Sequence, residues 1–576
     1  MEQHDSRSTP HGGAADGPDA HLLGQARAWL AEDPDPGTRE ELAALLDEAG
    51  RPESPGAEAA LAELRDRFAG TLEFGTAGLR GELGAGPMRM NRAVVIRAAA
   101  GLAAHLLADG VPEGPVVIGW DARHRSEDFA RDTAAVMTGA GLRAVLLPRP
   151  LPTPVLAFAV RHLGAAAGVM VTASHNPPRD NGYKVYLGEG TQIVPPADRE
   201  IAARIAAVGP LTGVPRPDAG PAALGEEIVD AYLARAVGVV DAASPRDVTV
   251  VHTALHGVGG DTVAAAFTRA GFPEPVAVAE QAAPDPDFPT VAFPNPEEPG
   301  AMDLAYAAAR RVSPDLVIAN DPDADRCAVA VPDADAPAGW RMLHGDEVGA
   351  LLAAHLVGRG ASGTFAESIV SSSLLGRIAA AAGLRHEETL TGFKWIARVP
   401  ELAYGYEEAL GYCVDPGGVR DKDGVTAALL IAELAAVQKA AGRSLTDVLD
   451  ELAVRHGLHA TGQLSVRVRD LSLITAAMAR LRAQPPSGLA GLQVVRAEDL
   501  SHGSPSLPPT DGLRYRLGGE LDARVIVRPS GTEPKLKCYL EVVVPVADAA
   551  GLPAARRRAD EVLERLRKDF AAAAGI

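Results

Sequence analysis

Cysteine is nearly absent from the chain. Its 576 residues hold three, Cys327, Cys413 and Cys538, which are far apart and odd in number. They offer no CxxC pair and no disulfide framework, which fits a reducing compartment. Aromatic residues are scarce at 4%, against 47% hydrophobic residues overall, so aliphatic side chains and alanine must fill the cores. No run approaches the ~20 apolar residues that cross a bilayer. The polar N-terminus also lacks the apolar core of a signal peptide. These absences predict a soluble cytoplasmic protein. Positive charge is in deficit as well. A net charge of −20 argues against nucleic acid or an anionic membrane as partner. Any phosphate site must therefore be assembled locally, against the field of the whole molecule.

Lysine is the rarest of the common charges. Only seven of the 55 basic residues are lysine: Lys184, Lys394, Lys422, Lys439, Lys535, Lys537 and Lys568. Arginine serves wherever a cation merely solvates a surface. Five of the lysines fall in stretches rich in glycine, proline and aspartate. A compact ammonium on a flexible stem differs chemically from a planar guanidinium fork, so at least three of these five are expected to meet a ligand.

The length predicts about four domains. Residues 1–20 have the composition of a disordered tail, and 21–68 read as a helical N-terminal extension. Strands then alternate with helices, which predicts βαβ units and a mainly parallel sheet. The alternation restarts twice, giving α/β blocks over 69–215, 221–335 and 336–456. The last block, 457–576, has strands near 464–468, 492–495, 523–527 and 538–544, with helices near 474–481 and 555–570. It reads as α+β. Three similar α/β domains and a C-terminal α+β domain result.

Several turns carry chemistry. Gly168-Val169-Met170-Val171-Thr172-Ala173-Ser174-His175-Asn176-Pro177-Pro178 delivers a serine from an apolar strand into a turn. Two prolines there prevent a helix, and Lys184 follows in the next apolar run. GxSxG is absent, since Thr172 and Asn176 occupy the glycine positions, so a hydrolase elbow is not indicated. Asp321-Pro322-Asp323-Ala324-Asp325-Arg326 sets three carboxylates at alternate positions after a strand. Carboxylates that close repel unless a cation sits among them, and an oxygen-rich set suits Mg²⁺. An EF-hand is excluded by Arg326 and Pro332 at its glycine and glutamate positions. Arg528-Pro529-Ser530-Gly531-Thr532-Glu533-Pro534-Lys535 holds the parts of an anion cradle: a guanidinium, hydroxyls, a glycine N–H and an ammonium. Gly405-Tyr406-Glu407-Glu408 places two carboxylates in a turn, where they suit sugar hydroxyls or a helix N-terminus equally. Phe74-Gly75-Thr76-Ala77-Gly78-Leu79-Arg80-Gly81 and Arg420-Asp421-Lys422-Asp423-Gly424 are ambiguous as they stand, and Pro115-Val116-Val117-Ile118-Gly119-Trp120-Asp121-Ala122-Arg123 reads as a strand breaking into a polar turn. A serine beside a Mg²⁺ cluster, with a distant phosphate cradle, points to phosphoryl transfer.

Together these loops, in this order, resemble the α-D-phosphohexomutase superfamily, in particular its phosphoglucomutase/phosphomannomutase branch. The Phe74–Gly81 loop, Asn295-Pro296-Glu297-Glu298-Pro299 and Tyr406-Glu407-Glu408-Ala409 look most like bacterial mutases related to the phosphoglucomutase-2/phosphopentomutase subgroup. The resemblance implies four domains around a central cleft, each contributing one loop. It implies that Ser174 carries a phosphoryl group, with His175 beside it. Asp321, Asp323, Asp325 and the phosphoserine would hold Mg²⁺. Arg80 and Lys184 would assist proton transfer. Glu407, with Glu408, Arg326, Thr391, Gly392 and Lys394, would hold the sugar, and Arg528, Ser530, Gly531, Thr532 and Lys535 its non-reacting phosphate. The implied reaction interconverts hexose 1-phosphate and hexose 6-phosphate through a hexose 1,6-bisphosphate, in a monomer or homodimer. Two departures bear on the sugar. Ala409 stands where many relatives have serine, so the family's hexose preference does not carry over at that contact. Thr391-Gly392-Phe393-Lys394 resembles glucose-type and pentose-type loops rather than the TGH type and tilts the reading toward glucose. Glucose phosphate is therefore favoured, with mannose and pentose phosphates as alternatives. The competing readings are a Mg²⁺-dependent phosphatase and a non-catalytic sugar-phosphate-binding protein.

Overall fold

The computed structural model describes residues 18–73, 78–217, 220–468, 470–530 and 535–576. Residues 1–17 of the expected tail, 74–77 of the Gly-rich loop, and Gly531 and Thr532 of the cradle lie outside the described residues. Three short helices, Pro18–Glu32, Pro36–Ala49 and Ala57–Arg67, open the described chain. The second starts on Asp35, whose carboxylate accepts the Gly37 and Thr38 N–H groups, with Pro36 pre-set in the first turn. Leu22, Ala26, Leu42, Leu46, Ala60 and Leu64 form their small shared core.

Four sheets follow. In the first, Val116–Trp120 pairs in parallel with Ala144–Leu146 and with Ala167–Val171. Asp180–Leu187 and Leu79–Glu82 then add on antiparallel. In the second, Val250–Thr253 and Leu316–Ala319 are parallel, and Ala328–Pro332 returns antiparallel. In the third, Thr364–Ser368 lies parallel to Arg385–Thr389 and Leu402–Glu407, and Gly411–Cys413 returns antiparallel. The fourth sheet is antiparallel throughout, with Leu458–Arg467, Lys535–Val544, Asp522–Pro529 and Leu513–Gly518 side by side. The short strands Ala222–Ala223 and Trp340–Met342 join the first and second sheets. Each sits just past the boundary at which the sequence reading opens the next block.

The expected alternation is present, but every α/β sheet ends on an antiparallel return strand. That detail places the chemistry. Ser174, the three aspartates and Glu408 each lie at or beside the tip of such a hairpin, while Arg528 lies near the end of a strand in the antiparallel fourth sheet. A parallel strand carries the loop to the carboxyl edge of its sheet, and the return strand fixes the loop from its other end.

The largest apolar cluster includes residues from Leu79 to Leu452 and so joins the first three blocks, whereas the C-terminal block has its own core, from Ala453 to Ala574. At the centre of the former, Gly424–Ala440 is buried along most of its length. Among the described residues no single helix is long and apolar enough to cross a membrane. Few aromatics are present, yet three tyrosines stack in series beneath one hairpin. The ring centroids of Tyr404, Tyr406 and Tyr412 are 6.2 and 6.3 Å apart. Their hydroxyls donate to Gly349 O, Asp346 Oδ1 and Gly345 O.

Candidate active site

Ala167–Val171 is fully buried, and three residues on the chain turns at Ser174 with φ +53°. That value is uncommon for a residue with a Cβ and marks a constrained turn. Ser174 is only 3% exposed. Its Oγ donates to Asp321 Oδ2 at 2.7 Å and lies 3.3 Å from His175 Nδ1. The serine of the first sheet thus meets the aspartate loop of the second.

Asp321, Asp323 and Asp325 are all buried, and each offers a carboxylate oxygen within 4.8 Å of the others. Ala324 at φ +52° bends the loop so that alternate side chains converge. Lys184 Nζ donates to Asp323 Oδ2 at 2.7 Å and to Asp325 Oδ2 at 2.9 Å. Thr153 Oγ1 donates to Asp323 Oδ2 at 2.6 Å. The opposite oxygens, Asp323 Oδ1 and Asp325 Oδ1, are buried with no hydrogen-bond partner in the described structure. Orphaned buried carboxylate oxygens are costly. Here they lie in a cluster of hard oxygen donors of the kind a divalent cation takes. The residues present therefore fit a metal ion.

The electrostatics agree. Burial and the charges of Asp323 and Asp325 push the Asp321 carboxyl up to about 8, marking a place where added positive charge is favourable. Burial also penalises Asp325, but Lys184, Lys422 and Arg326 outweigh it and hold the carboxyl well below the usual range. Burial disfavours the Lys184 ammonium, yet Asp323 and Asp325 more than compensate and raise its pKa. His175 moves the other way. Burial, then Arg326 and Arg80, hold it well below an ordinary imidazole, so it is neutral near pH 7.

Arg80 comes from the edge strand of the first sheet, opposite Gly182, and donates through Nη1 to Asn176 Oδ1 at 2.9 Å. Arg326 lies with Nε 3.8 Å from Asp321 Oδ2 and 3.9 Å from Asp325 Oδ1. It also bridges, strand-like, to Gly411 of the third sheet. That bridge joins the aspartate loop to the Glu407 hairpin, where Gly392 N donates to Glu407 Oε1 at 2.6 Å. Gly392 is at φ +107°, and Thr391 is half-buried beside it. Lys394, one turn further on, is 5% exposed, with Nζ 6.0 Å from the Trp395 ring centroid. The Glu408 carboxylate accepts from the hydroxyls of Ser368 and Ser371 at 3.2 and 3.3 Å, and burial with the Glu407 charge raises it to about 7. On the fourth sheet, Ser530 N donates to Lys535 O at 2.8 Å and closes the hairpin base, with Arg528 opposite Lys537. Positive charge on Lys537 acts on both Glu408 and Glu297.

Two groups at this centre are not assigned by the sequence reading. Lys422 Nζ is 3.0 Å from Asp325 Oδ2, so the aspartate loop carries two ammonium groups from two different domains. Its signal was the scarcity of lysine, within a motif that was ambiguous by itself. Arg123 lies behind the Ser174 turn, and nothing in its own stretch announces that contact.

Comparison with known proteins accords with this geometry. Models of the phosphoglucomutase/phosphomannomutase family match in order: α/β/α domain I over 71–210, α/β/α domain II over 229–334, α/β/α domain III over 344–455 and the C-terminal domain over 465–559. A probable phosphomannomutase of Haemophilus influenzae is 49% identical over 79% of this chain and 93% of its own. A phosphopentomutase of Mus musculus is 35% identical over 92% of each chain. A phosphoglucomutase of Staphylococcus aureus is 32% identical over 84% of this chain and 92% of its own. The crystal structure of a putative phosphomannomutase from Thermus thermophilus superposes with a TM-score of 0.66 at 27% identity, covering 87% of this chain and 99% of that one. The chain belongs to the phosphoglucomutase/phosphomannomutase family of the α-D-phosphohexomutase superfamily, and it is an intramolecular phosphotransferase of the isomerase class.

Proposed function

We propose that the enzyme is a Mg²⁺-dependent phosphosugar mutase that interconverts hexose 1-phosphate and hexose 6-phosphate, with glucose phosphate favoured. The observation that carries this reading is the Ser174 hydroxyl, 2.7 Å from one carboxylate of a buried aspartate triplet whose other two members keep an oxygen free. Asp321, Asp323, Asp325 and a phosphoryl oxygen on Ser174 would hold the metal. Bound there, Mg²⁺ neutralises charge on the transferring group.

The phosphoryl group leaves Ser174 Oγ for the free hydroxyl of the bound monophosphate. One P–O bond breaks, one forms to the sugar, and the sugar hydroxyl's proton is passed on by neighbouring groups to the departing Ser174 Oγ, which ends as a hydroxyl. His175 stands neutral 3.3 Å from Ser174 Oγ, where burial, Arg326 and Arg80 disfavour its protonated form, and Lys184, held as an ammonium, suits charge stabilisation. Arg80 supplies a further cation beside the loop. The hexose 1,6-bisphosphate then turns end over end and returns its other phosphate to Ser174. Glu407 and Glu408, with Arg326, Thr391, Gly392 and Lys394, hold the sugar. Arg528, Ser530, Gly531, Thr532 and Lys535 hold the phosphate that is not reacting. Added hexose 1,6-bisphosphate serves as activator.

The Thr391-Gly392-Phe393-Lys394 turn supports glucose phosphate, whereas Ala409, which lacks the hydroxyl of serine, lends no hexose preference. The 49% identical phosphomannomutase and the 35% identical phosphopentomutase favour mannose and pentose phosphates instead. The test measures kcat/KM for glucose 1-phosphate, mannose 1-phosphate and ribose 1-phosphate with Mg²⁺ and bisphosphate present. Glucose 1-phosphate should give the largest value, and a clearly larger one for mannose or ribose phosphate overturns the preference. Ser174→Ala should abolish interconversion. Wild-type turnover in that variant, or phosphate release without isomer formation in the wild type, rejects the mechanism.

A further inference from the structure

We propose that Arg123 is the positioning residue of the nucleophile loop, a guanidinium clamp that fixes where Ser174 Oγ stands. The proposal rests on the reading of Ser174 as phosphoryl carrier. Val116–Trp120 runs parallel to Ala167–Val171, with Trp120 opposite Val171, so the turn after Trp120 emerges beside the Ser174 turn. From that turn two side chains grip Ser174 by both of its peptide groups. Asp121 Oδ2 accepts the Thr172 hydroxyl at 2.6 Å, and Thr172 Oγ1 accepts Ser174 N–H at 2.9 Å. Arg123 Nη2 donates to Ser174 O and to Asn176 O, both at 2.6 Å. Its Nη1 donates to Pro177 O at 2.8 Å and Asp180 O at 3.1 Å.

Four carbonyls within seven residues therefore converge on one guanidinium. The loop contains two prolines, so it has few N–H groups with which to satisfy those oxygens internally. A planar fork with fixed donors reaches four acceptors at once, whereas an ammonium concentrates its three donors on one atom. Arg123 is 4% exposed, and its guanidinium carbon lies 4.9 Å from the ring centroid of Phe288, which belongs to the second α/β domain. Next to it, His124 Nε2 is 2.7 Å from Asp287 Oδ1. The clamp thus rests on the domain that carries the aspartate triplet, and it references the serine to that domain. Arg123 contacts backbone carbonyls of the loop and leaves the reacting oxygen to Asp321, which makes it a positioning residue.

A displacement of the nucleophile by about 1 Å can cost on the order of 100-fold in rate. The far phosphate of the substrate is held by a different loop. Loss of the clamp should therefore lower kcat and leave KM nearly unchanged. The test compares wild type with Arg123→Lys, Arg123→Ala and Phe288→Leu. Circular dichroism and thermal melting report folding, intact mass after incubation with Mg²⁺ and glucose 1,6-bisphosphate reports phosphorylation at Ser174, and steady-state kinetics give kcat and KM. In folded Arg123 variants kcat should fall about 100-fold with KM within about threefold. Dilute guanidinium, which fills the vacated space, should restore much of the activity of Arg123→Ala. Phe288→Leu should reduce kcat more mildly, and it decides the matter if the Arg123 variants do not fold. Wild-type kcat in folded Arg123 variants or in Phe288→Leu, or an unrescued loss shared equally by KM, overturns the clamp. A wild type that never gains phosphate at Ser174 instead overturns the reading on which the clamp rests.

Discussion

Asp325 Oδ2 sits between two ammonium groups, Lys184 at 2.9 Å and Lys422 at 3.0 Å. Removing either leaves buried carboxylate charge less compensated, which costs several kcal/mol in comparable sites. Lys422→Met should therefore lower kcat/KM by about 10- to 100-fold, as steady-state assays would show, and Lys422→Arg should fall between it and wild type. A buried histidine behind the same loop gives a pH signature. His252 Nε2 donates to Asn320 Oδ1 at 2.8 Å, and Asn320 in turn donates to Arg326 O. Burial pushes His252 down to about 4, below the ordinary 6.5. Between those values the unfolded chain binds a proton that the folded one does not, so stability is intact near pH 7 and falls as the pH drops toward 4. The full difference is about 3 kcal/mol. His252→Asn should flatten part of that slope in denaturant melts between pH 7 and 4.5. At this scale Ser174 and the three aspartates were legible, because strand, turn and spacing put their chemistry in one short stretch. Lys422 and Arg123 were not, since their partners belong to loops 50 to 100 residues away in sequence.

Hairpin geometry explains why each site loop reaches the shared centre. Alternating strands and helices announced parallel sheets, and the antiparallel return strands after Ser174, Asp325 and Glu408 are a local pairing which that alternation does not encode. The Glu407 hairpin shows how tightly such a loop is set. A Cβ on Gly345 would lie 1.8 Å from Glu408 O and 2.7 Å from its carbonyl carbon, so the helix Gly345–Gly358 approaches the hairpin closer than alanine allows. Gly345→Ala must shift Glu408 and the tyrosine stack beneath it. It should destabilise the protein by about 1–3 kcal/mol and raise KM for the sugar phosphate more than it lowers kcat, as kinetics and thermal melting would show. The aspartate hairpin responds to metal. Saturating Mg²⁺ at about 100 times its dissociation constant should stabilise the fold by about 2.7 kcal/mol, visible as a rise in Tm. That rise should vanish in Asp323→Asn with Asp325→Asn, and chelation should abolish turnover.

Across the whole molecule, the C-terminal block keeps its own apolar core and meets the third block through a small apolar cluster, Ile369, Val370 and Leu390 against Leu500, Leu507 and Ile526, flanked by polar contacts. Arg524 lies at the centre of that junction. It pairs with Glu541 at 2.8 Å and Glu388 at 3.3 Å, and donates to Ile369 O and Ser371 O. Glu541 Oε1 accepts from Ser372 Oγ and Ser373 N, both at 2.8 Å. Ser371 donates on its other side to Glu408. One serine turn therefore touches both the Glu407 hairpin and the block carrying Arg528. Burial disfavours the Glu541 carboxylate, but Arg524 and His459 outweigh it and hold it down at about 2. Its contribution is thus complete above the ordinary 4.5 and is lost as the pH falls through 2. The composition of these strands predicted an α+β block, but not this junction, because it depends on which sheet faces which. Glu541→Gln leaves Arg524 buried with a weaker partner, a change worth up to about 3 kcal/mol. Hydrogen exchange at neutral pH should then accelerate in Lys535–Val544 and in residues 368–373, while Val250–Thr253, in the other core, keeps its protection. Equal acceleration everywhere would instead mean that the four blocks open as one unit.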